Sequence, residues 1–413
     1  MNEQYDVIVV GGGPAGSTTA GLLAKWGRRV LVLEKEKFPR YHIGESLVPG
    51  CMPIFEQLGV LDEIEAAASG MKKYGITFLW GANPKPWQME FAEVCPHPYS
   101  FEVKRAEFDN ILLNNSRRLG ATVIEEATVR EPVFEEGRCI GVRYVRAHSD
   151  ELIEVRAPMV VDASGQAKFL GHRLGAVDWH DDLKNLAVWS YFQGGTRHPG
   201  RFAGNITVEN RPTGWLWMIP FGDDSCSVGF VGPVEEFTGA GKPPAEILKE
   251  QIAVSTQVKE LLATATEIEG SRTAKDWSYS CEQMTAPGAL LVGDAAAFVD
   301  PLFSTGVMLG MKGATAAARS IHAILDEPER EAEFAASYEQ AYREFLGTVV
   351  TFVRFFYDAT RKVGEYFEEA QNLVDPKHNQ AARKDFVGLI SGLYGSRDIM
   401  NPIAPLPDES QPV

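Results

Sequence analysis

Cysteine is scarce in this chain and carries no pattern. Cys51, Cys95, Cys139, Cys226 and Cys281 are scattered without CxxC spacing, which argues against both a zinc site and a disulfide framework and predicts no metal. Long apolar runs are also missing. None reaches the roughly 20 residues that a membrane helix needs, and the first residues enter a β-run without a positive n-region or a cleavage site. The expectation is a cytoplasmic protein with reduced thiols and no membrane partner. No basic stripe offsets the formal net charge of −16, so nucleic acid is not expected as a partner. No internal repeat is visible, and no linker is long enough to divide independent domains.

What is present suits a folded enzyme. With 45% hydrophobic and 23% charged residues over 413 positions, the chain is too long for one simple core and fits two interlocked domains plus a tail. Tyr5 to Val10 is a short apolar β-run, Gly11 to Gly16 a glycine turn, Ser17 to Trp26 a small-residue helix, and Arg29 to Glu34 a second apolar strand, together one βαβ unit. Met159 to Gly165 (MVVDASG) and Ala289 to Ala296 (ALLVGDAA) read as further strands of the same sheet, each running into a small, acid-containing turn. Aromatic and β-branched stretches at Tyr74 to Phe101 and Leu186 to Thr273 predict a second, mostly antiparallel sheet.

The predicted class is therefore α/β, with a Rossmann-like nucleotide unit built from residues 1–73, 102–185 and 274–330. An antiparallel-sheet unit over 74–101 and 186–273 is expected on the substrate side. Val307 to Leu325 reads as one Ala- and Gly-rich helix. Glu331 to Glu369 reads as further helix with Phe345, Val349, Phe352 and Phe356 on one face, giving a helical region over 331–400. The prolines Pro402, Pro405, Pro407 and Pro412 predict an irregular tail over 401–413.

Gly11, Gly13 and Gly16 form a GxGxxG between strand and helix, and Glu34 ends the next strand 21 residues past Gly13. Glycine is needed there because a tight turn and a close backbone approach leave no room for a Cβ, and the helix N-terminus then faces a pyrophosphate. Glu34 can accept hydrogen bonds from a ribose diol. Pro14 and Ala15 in the turn and Lys35 beside the acid complete the predicted contacts. These residues alone leave NAD and FAD both open.

Three further segments bear on that choice. GDAA at Gly293 to Ala296, VKRAEFD at Val103 to Asp109 and DASG at Asp162 to Gly165 resemble fingerprints of the FAD-dependent monooxygenase superfamily that includes para-hydroxybenzoate hydroxylase. The resemblance implies FAD, with Asp294 near its ribityl-pyrophosphate part and Arg105 approaching from a helix start. No second GxGxxG follows a strand elsewhere. Reduced FAD is then expected from a separate flavin reductase acting as a transient partner, or from a transiently bound nicotinamide.

Gly214 to Pro220 reads GWLWMIP. In a strand, the period of two puts Trp215 and Trp217 on one face and Leu216 and Met218 on the other, which taken alone is also the pattern of a core strand. The heptapeptide resembles the GWxWxIP signature of the flavin-dependent halogenases, particularly those acting on pyrrole, phenol and tyrosyl groups. The likeness extends from Tyr5 to about Phe367 and includes GESLVP at Gly44 to Pro49. It implies that Thr305 and Gly306 of DPLFSTGV (Asp300 to Val307) hold chloride or bromide through backbone N–H groups at a helix N-terminus. It also implies that Lys73 of MKKYG (Met71 to Gly75) receives hypohalous acid, with Trp215 and Trp217 as a wall along the way. Apolar surroundings would lower the pKa of such a lysine.

One departure bears on the substrate. Tryptophan halogenases carry a glutamate just before the Ser-Thr-Gly segment, and this chain has Phe303 there. An electron-rich aromatic substrate, a phenol or pyrrole that stabilises its own cation, is therefore expected, free or tethered to an acyl or peptidyl carrier protein. Arg354, Arg361 and Lys362 are candidates for a basic patch that docks such an acidic carrier, the alternative being a solvated helix face. The alternatives on the same fold are an aromatic monooxygenase or an isoprenoid-type flavin reductase. From another class, a flavin-binding subunit without turnover is also compatible.

Overall fold

The computed structural model describes residues 4–68, 71–82, 85–239, 241–374, 377 and 379–393. The predicted tail over 401–413 lies outside the described residues. Val7–Val10 is the centre of a six-stranded sheet, paired in parallel with Val30–Leu33 on one side and Met159–Asp162 on the other. Thr122–Ile124 extends it beyond Val30–Leu33, and Ala289–Leu291 extends it beyond Met159–Asp162. All four residues of each central strand are buried, as their unbroken apolar runs require in a sheet covered on both faces. The first helix spans Pro14–Lys25, three residues earlier than the sequence reading, because Pro14 can occupy its first turn with Gly13 as the N-cap.

The second large sheet has nine strands. Eight follow the order Ala297–Phe298, Arg272–Cys281, Val177–Gln193, Ser225–Pro233, Gly214–Pro220, Ile206–Arg211, Gly75–Leu79 and Trp87–Glu90, and Thr266–Glu267 also pairs with Val177–Gln193. It is antiparallel except where Ile206–Arg211 runs parallel to Gly75–Leu79. The sheet extends past both predicted boundaries. Val177–Gln193 starts well before Leu186, its polar stretch Asp178 to Asp182 hiding the strand behind an irregularity between Trp179 and Lys184. Arg272–Cys281 belongs to this sheet and not to the nucleotide sheet.

A separate three-stranded sheet, Ala127–Glu135, Arg138–Arg146 and Ile153–Arg156, was not distinguished in the sequence. Its first hairpin turns at Glu136 and Gly137, both with positive φ (48° and 82°), the geometry that suits a two-residue β-turn.

The long helical reading from Glu331 breaks in two, Glu331–Phe356 and Val363–Leu373. The break is held by Tyr366, whose hydroxyl donates to the Asp358 carbonyl at 2.8 Å, and by the Glu365 carboxylate accepting from the Lys362 N–H at 2.7 Å. Phe356 stacks into a cluster with Phe78, Phe303, Tyr366 and Phe386. That cluster fastens the C-terminal helices to the large sheet. No helix among the described residues is long and apolar enough to cross a membrane.

Candidate functional site

A cavity of about 810 Å³ is lined from both large sheets. At one end stands the glycine turn. Gly11 has φ +104°, and a Cβ there would lie 2.4 Å from the Ala163 carbonyl oxygen; a Cβ on Gly16 would lie 2.0 Å from the Gly11 oxygen. The turn thus packs against the end of the Met159–Asp162 strand with room for backbone alone. Gly11, Gly13, Pro14, Ala15, Glu34 and Lys35 line the cavity, while Gly16 is packed beneath the turn. The buried Glu34 carboxylate accepts from the amides of Gly12 at 2.6 Å and Glu36 at 2.8 Å, so it is fixed at the rim of the turn.

Arg105, first residue of the helix Arg105–Arg118, makes a two-pronged pair with Asp109 at 2.7 and 3.0 Å. Its remaining nitrogen donates to the Ile43 carbonyl at 2.7 Å, pinning the segment that leads into Gly44, Glu45 and Ser46. Asp162 is wholly buried and accepts from the amides of Ser164 and Leu170, closing the loop that carries Lys168 to the cavity wall. Lys168 was missed in the sequence; its place three residues after DASG was the available signal. Asp294 lines the same cavity.

At the other end lies the turn Pro301–Phe303 followed by the helix Gly306–Asp326, with Thr305 as N-cap. Ser304 and Gly306 line the cavity, and Thr305 is buried between them. Among the described residues the Thr305 and Gly306 amides have no acceptor and the Thr305 hydroxyl has no partner. Free amides at the start of a long helix are an anion-binding arrangement. The turn is anchored by Asp300, which accepts from the Leu302 amide at 2.9 Å and the Tyr357 hydroxyl at 2.6 Å. Tyr357 in turn accepts from Trp215 Nε1 at 3.0 Å. Phe303 is stacked on Phe352 with ring centroids 5.4 Å apart, inside the core.

The tryptophan strand separates two environments. Trp215, Trp217 and Ile219 face the cavity, whereas Leu216 and Met218 pack with Val188, Phe230, Ile247 and Val258 behind it. A third indole, Trp189, extends the row: centroids are 5.9 Å apart for Trp215 and Trp217 and 6.4 Å for Trp217 and Trp189. Trp189 was not singled out in the sequence, because one tryptophan in a β-run carries no spacing signal.

Lys73 and Lys72 go to opposite sides. Lys72 pairs with Glu65 at 2.5 Å, while Lys73 is 0% exposed and donates to Ser46 Oγ at 2.7 Å. Ser46 lines the cavity, so Lys73 stands one hydrogen bond behind its wall. Burial lowers the Lys73 pKa to about 8, opposed by the nearby Glu102 carboxyl.

The expected basic patch is not free. Arg354 is paired with Asp182 at 2.6 Å and Arg361 with Asp358 at 3.1 Å, so two of its three charges are compensated by acids the helical reading did not weigh. Among the described residues no group of His, Cys, Asp and Glu side chains could hold a metal ion.

A Cβ-free turn, a fixed acid at the second strand and a helix N-terminus across the cavity fit FAD. The chain matches the FAD binding domain family over residues 4–353. It belongs, more narrowly, to the flavin-dependent halogenases and is an FAD-dependent oxidoreductase. It is 34% identical over 405 residues to a tryptophan 2-halogenase of Chondromyces crocatus, covering 96% of this chain and 77% of that protein. It is 30% identical to a 1H-pyrrole-2-carbonyl-[peptidyl-carrier protein] chlorinase of Pseudomonas fluorescens, covering 86% and 84%. Among solved structures, the myxobacterial chondrochloren halogenase superposes with a TM-score of 0.83 at 34% identity, covering 94% of this chain and 97% of that one.

Proposed function

We propose that the protein uses reduced FAD, oxygen and chloride or bromide to halogenate an electron-rich aromatic ring of the phenol or pyrrole type, with Lys73 as the residue that receives hypohalous acid. The observation that carries this reading is the wholly buried Lys73 ammonium, one hydrogen bond behind a cavity wall that also carries the glycine turn, the free helix amides and a row of indoles. FAD, when bound, supplies the activation of oxygen that oxidises the halide. Gly11, Gly13, Pro14, Ala15, Glu34, Lys35, Arg105 and Asp294 hold it.

The amides of Thr305 and Gly306 bind the halide, drawn by the helix N-terminus. Trp215 and Trp217 confine the small oxidant and exclude water. In its amine form Lys73 offers a nucleophilic lone pair, and the low polarity around it favours that form. The core position of Phe303 leaves no carboxylate at that point to hold a ring proton, which supports a substrate that stabilises its own cation. The name of the pyrrole chlorinase relative specifies a carrier-tethered substrate, so the ring is taken either free or tethered to an acyl or peptidyl carrier protein. Reduced FAD comes from a separate reductase. The five cysteines, all free and buried, suit a reducing compartment such as the cytoplasm.

The test is product mass. Purified protein is supplied with a flavin reductase, chloride or bromide, and a panel of free and carrier-bound phenols and pyrroles. Halogenated product is expected from wild type and none from Lys73→Ala, with consumption of reduced FAD in both. Full halogenation by Lys73→Ala would overturn the assignment, and insertion of oxygen without halide would overturn the reaction.

A further inference from the structure

Behind the cavity wall lies a buried polar cluster of which the proposed chemistry uses only part. Ser100 and Glu102 are two residues apart, hence on one face of their strand. Lys73 is the ladder partner of Ser100, and Ser46 is the bridge partner of Glu102. Four polar side chains thus share one interior face. Lys73 and Ser100 are 0% exposed, and Glu102 is 1% exposed.

The hydrogen bonds within this cluster are incomplete. Lys73 donates to Ser46 Oγ at 2.7 Å. Among the described residues neither carboxyl oxygen of Glu102 has a full hydrogen bond and Ser100 Oγ has no partner, although the Ser46 hydroxyl is close enough to favour the charged form of Glu102. A buried carboxyl without a donor is costly. One placed across a serine from a buried lysine has a chemical use, because Lys73 must shed a proton before its nitrogen can act as a nucleophile.

We infer that Glu102 takes up the proton that Lys73 sheds, passed through the Ser46 hydroxyl. The inference rests on Lys73 being the residue that receives the hypohalous acid. One Nζ–H bond breaks as its proton moves to Ser46 Oγ, and the Ser46 O–H proton moves to a Glu102 carboxylate oxygen. An ammonium and a carboxylate become an amine and a carboxylic acid, so no net charge is left in the interior. The freed lone pair then attacks the halogen, the halogen–oxygen bond breaks, and hydroxide leaves as water with the second proton of the nitrogen.

The proton affinities match this role. Burial pushes Glu102 up to about 8 and Lys73 down to about 8, so desolvation disfavours the charged form of both and favours the neutral amine and acid. Two other titratable groups face the pair. Glu45, next to Ser46, is pushed up to about 7 by burial and accepts from the Tyr191 hydroxyl at 2.7 Å. Cys51 is pushed up to about 12 by burial and stays neutral.

The test uses the FAD-loaded protein with 13C-labelled lysine, the Lys73 resonance being assigned by its loss in Lys73→Ala. In Glu102→Gln the carboxylate that favours the ammonium is gone. The Lys73 titration and the acid limb of halogenation should therefore move together to lower pH by about one unit, and the maximal rate should also fall because Gln cannot take up the proton. In Ser46→Ala the carboxylate remains, so the limb should stay near its wild-type position while the maximal rate falls about tenfold or more. An unmoved titration in Glu102→Gln, an equal loss of rate at every pH, or a wild-type rate in Ser46→Ala would overturn the inference. Lys73→Ala separates the two readings. Halogenation without Lys73 sinks the proposed function, whereas an inactive Lys73→Ala beside an unmoved Glu102→Gln sinks the relay alone.

Discussion

Gly229→Ala tests whether the indole row is held as a wall. Gly229 lies opposite Trp217 in the ladder between Gly214–Pro220 and Ser225–Pro233, and the space it leaves is filled by the Trp217 ring. A Cβ at Gly229 would sit 2.3 Å from two ring carbons of Trp217 and 2.7 Å from Trp189 Cβ. Carbon atoms in contact need about 3.5 Å, so the ring must retreat by roughly 1.2 Å. Trp217 Nε1 donates to Ser227 Oγ at 3.2 Å and resists that shift; the cavity is the side on which the ring can give.

Overpacking of this kind costs about 1–3 kcal/mol, which for a chain of 413 residues should lower Tm by about 1–3 °C. The displaced indole should also disturb containment of the oxidant. Halogenated product per reduced FAD consumed is expected to fall about threefold or more, with peroxide release rising, because roughly 1 Å of misplacement in a confining wall is enough to affect a reaction. The assay is thermal unfolding together with product and peroxide counts. Gly347→Ala is the control, since a Cβ there meets nothing within 4 Å. A Gly229→Ala protein matching that control in both Tm and coupling would refute the reasoning.

Two further outcomes follow from the same geometry. Gly11→Ala places a methyl 2.4 Å from the Ala163 oxygen at φ +104°, so FAD binding, read by flavin fluorescence titration, should weaken by about 100-fold or more; wild-type affinity would remove the glycine turn from the cofactor site. Tyr357→Phe leaves Trp215 Nε1 without its acceptor and Asp300 without one donor, a loss of about 1–3 kcal/mol. Because Asp300 anchors the turn leading to Thr305 and Gly306, the KM for halide should rise more than kcat falls, and an unchanged halide dependence would detach that anchor from the anion site.

Patterns within short stretches of chain were legible in the sequence. The apolar runs around GxGxxG give the βαβ unit, since a parallel strand buried on both faces must be apolar throughout. Period-two alternation in GWLWMIP gives the two faces of the tryptophan strand. The extent of the large sheet was not legible, because charged residues at Asp178 to Asp182 interrupt the pattern of a strand that continues through them. The break after Phe356 was not legible either: it depends on Tyr366 reaching back to Asp358.

The site divides along the same line. By itself the sequence determined the glycine turn, the acid that ends the second strand, the amides at the start of the Gly306–Asp326 helix and the face the indoles share, each a matter of local backbone geometry. Only the tertiary structure decided that Trp189 lengthens the row, that Asp300 and Trp215 meet at Tyr357, that Asp182 neutralises Arg354, and that Lys73, Ser46 and Glu102 are sealed together. Those contacts join residues tens to hundreds of positions apart. Their energetic weight comes from desolvation, which exists only once the sheets have closed over them.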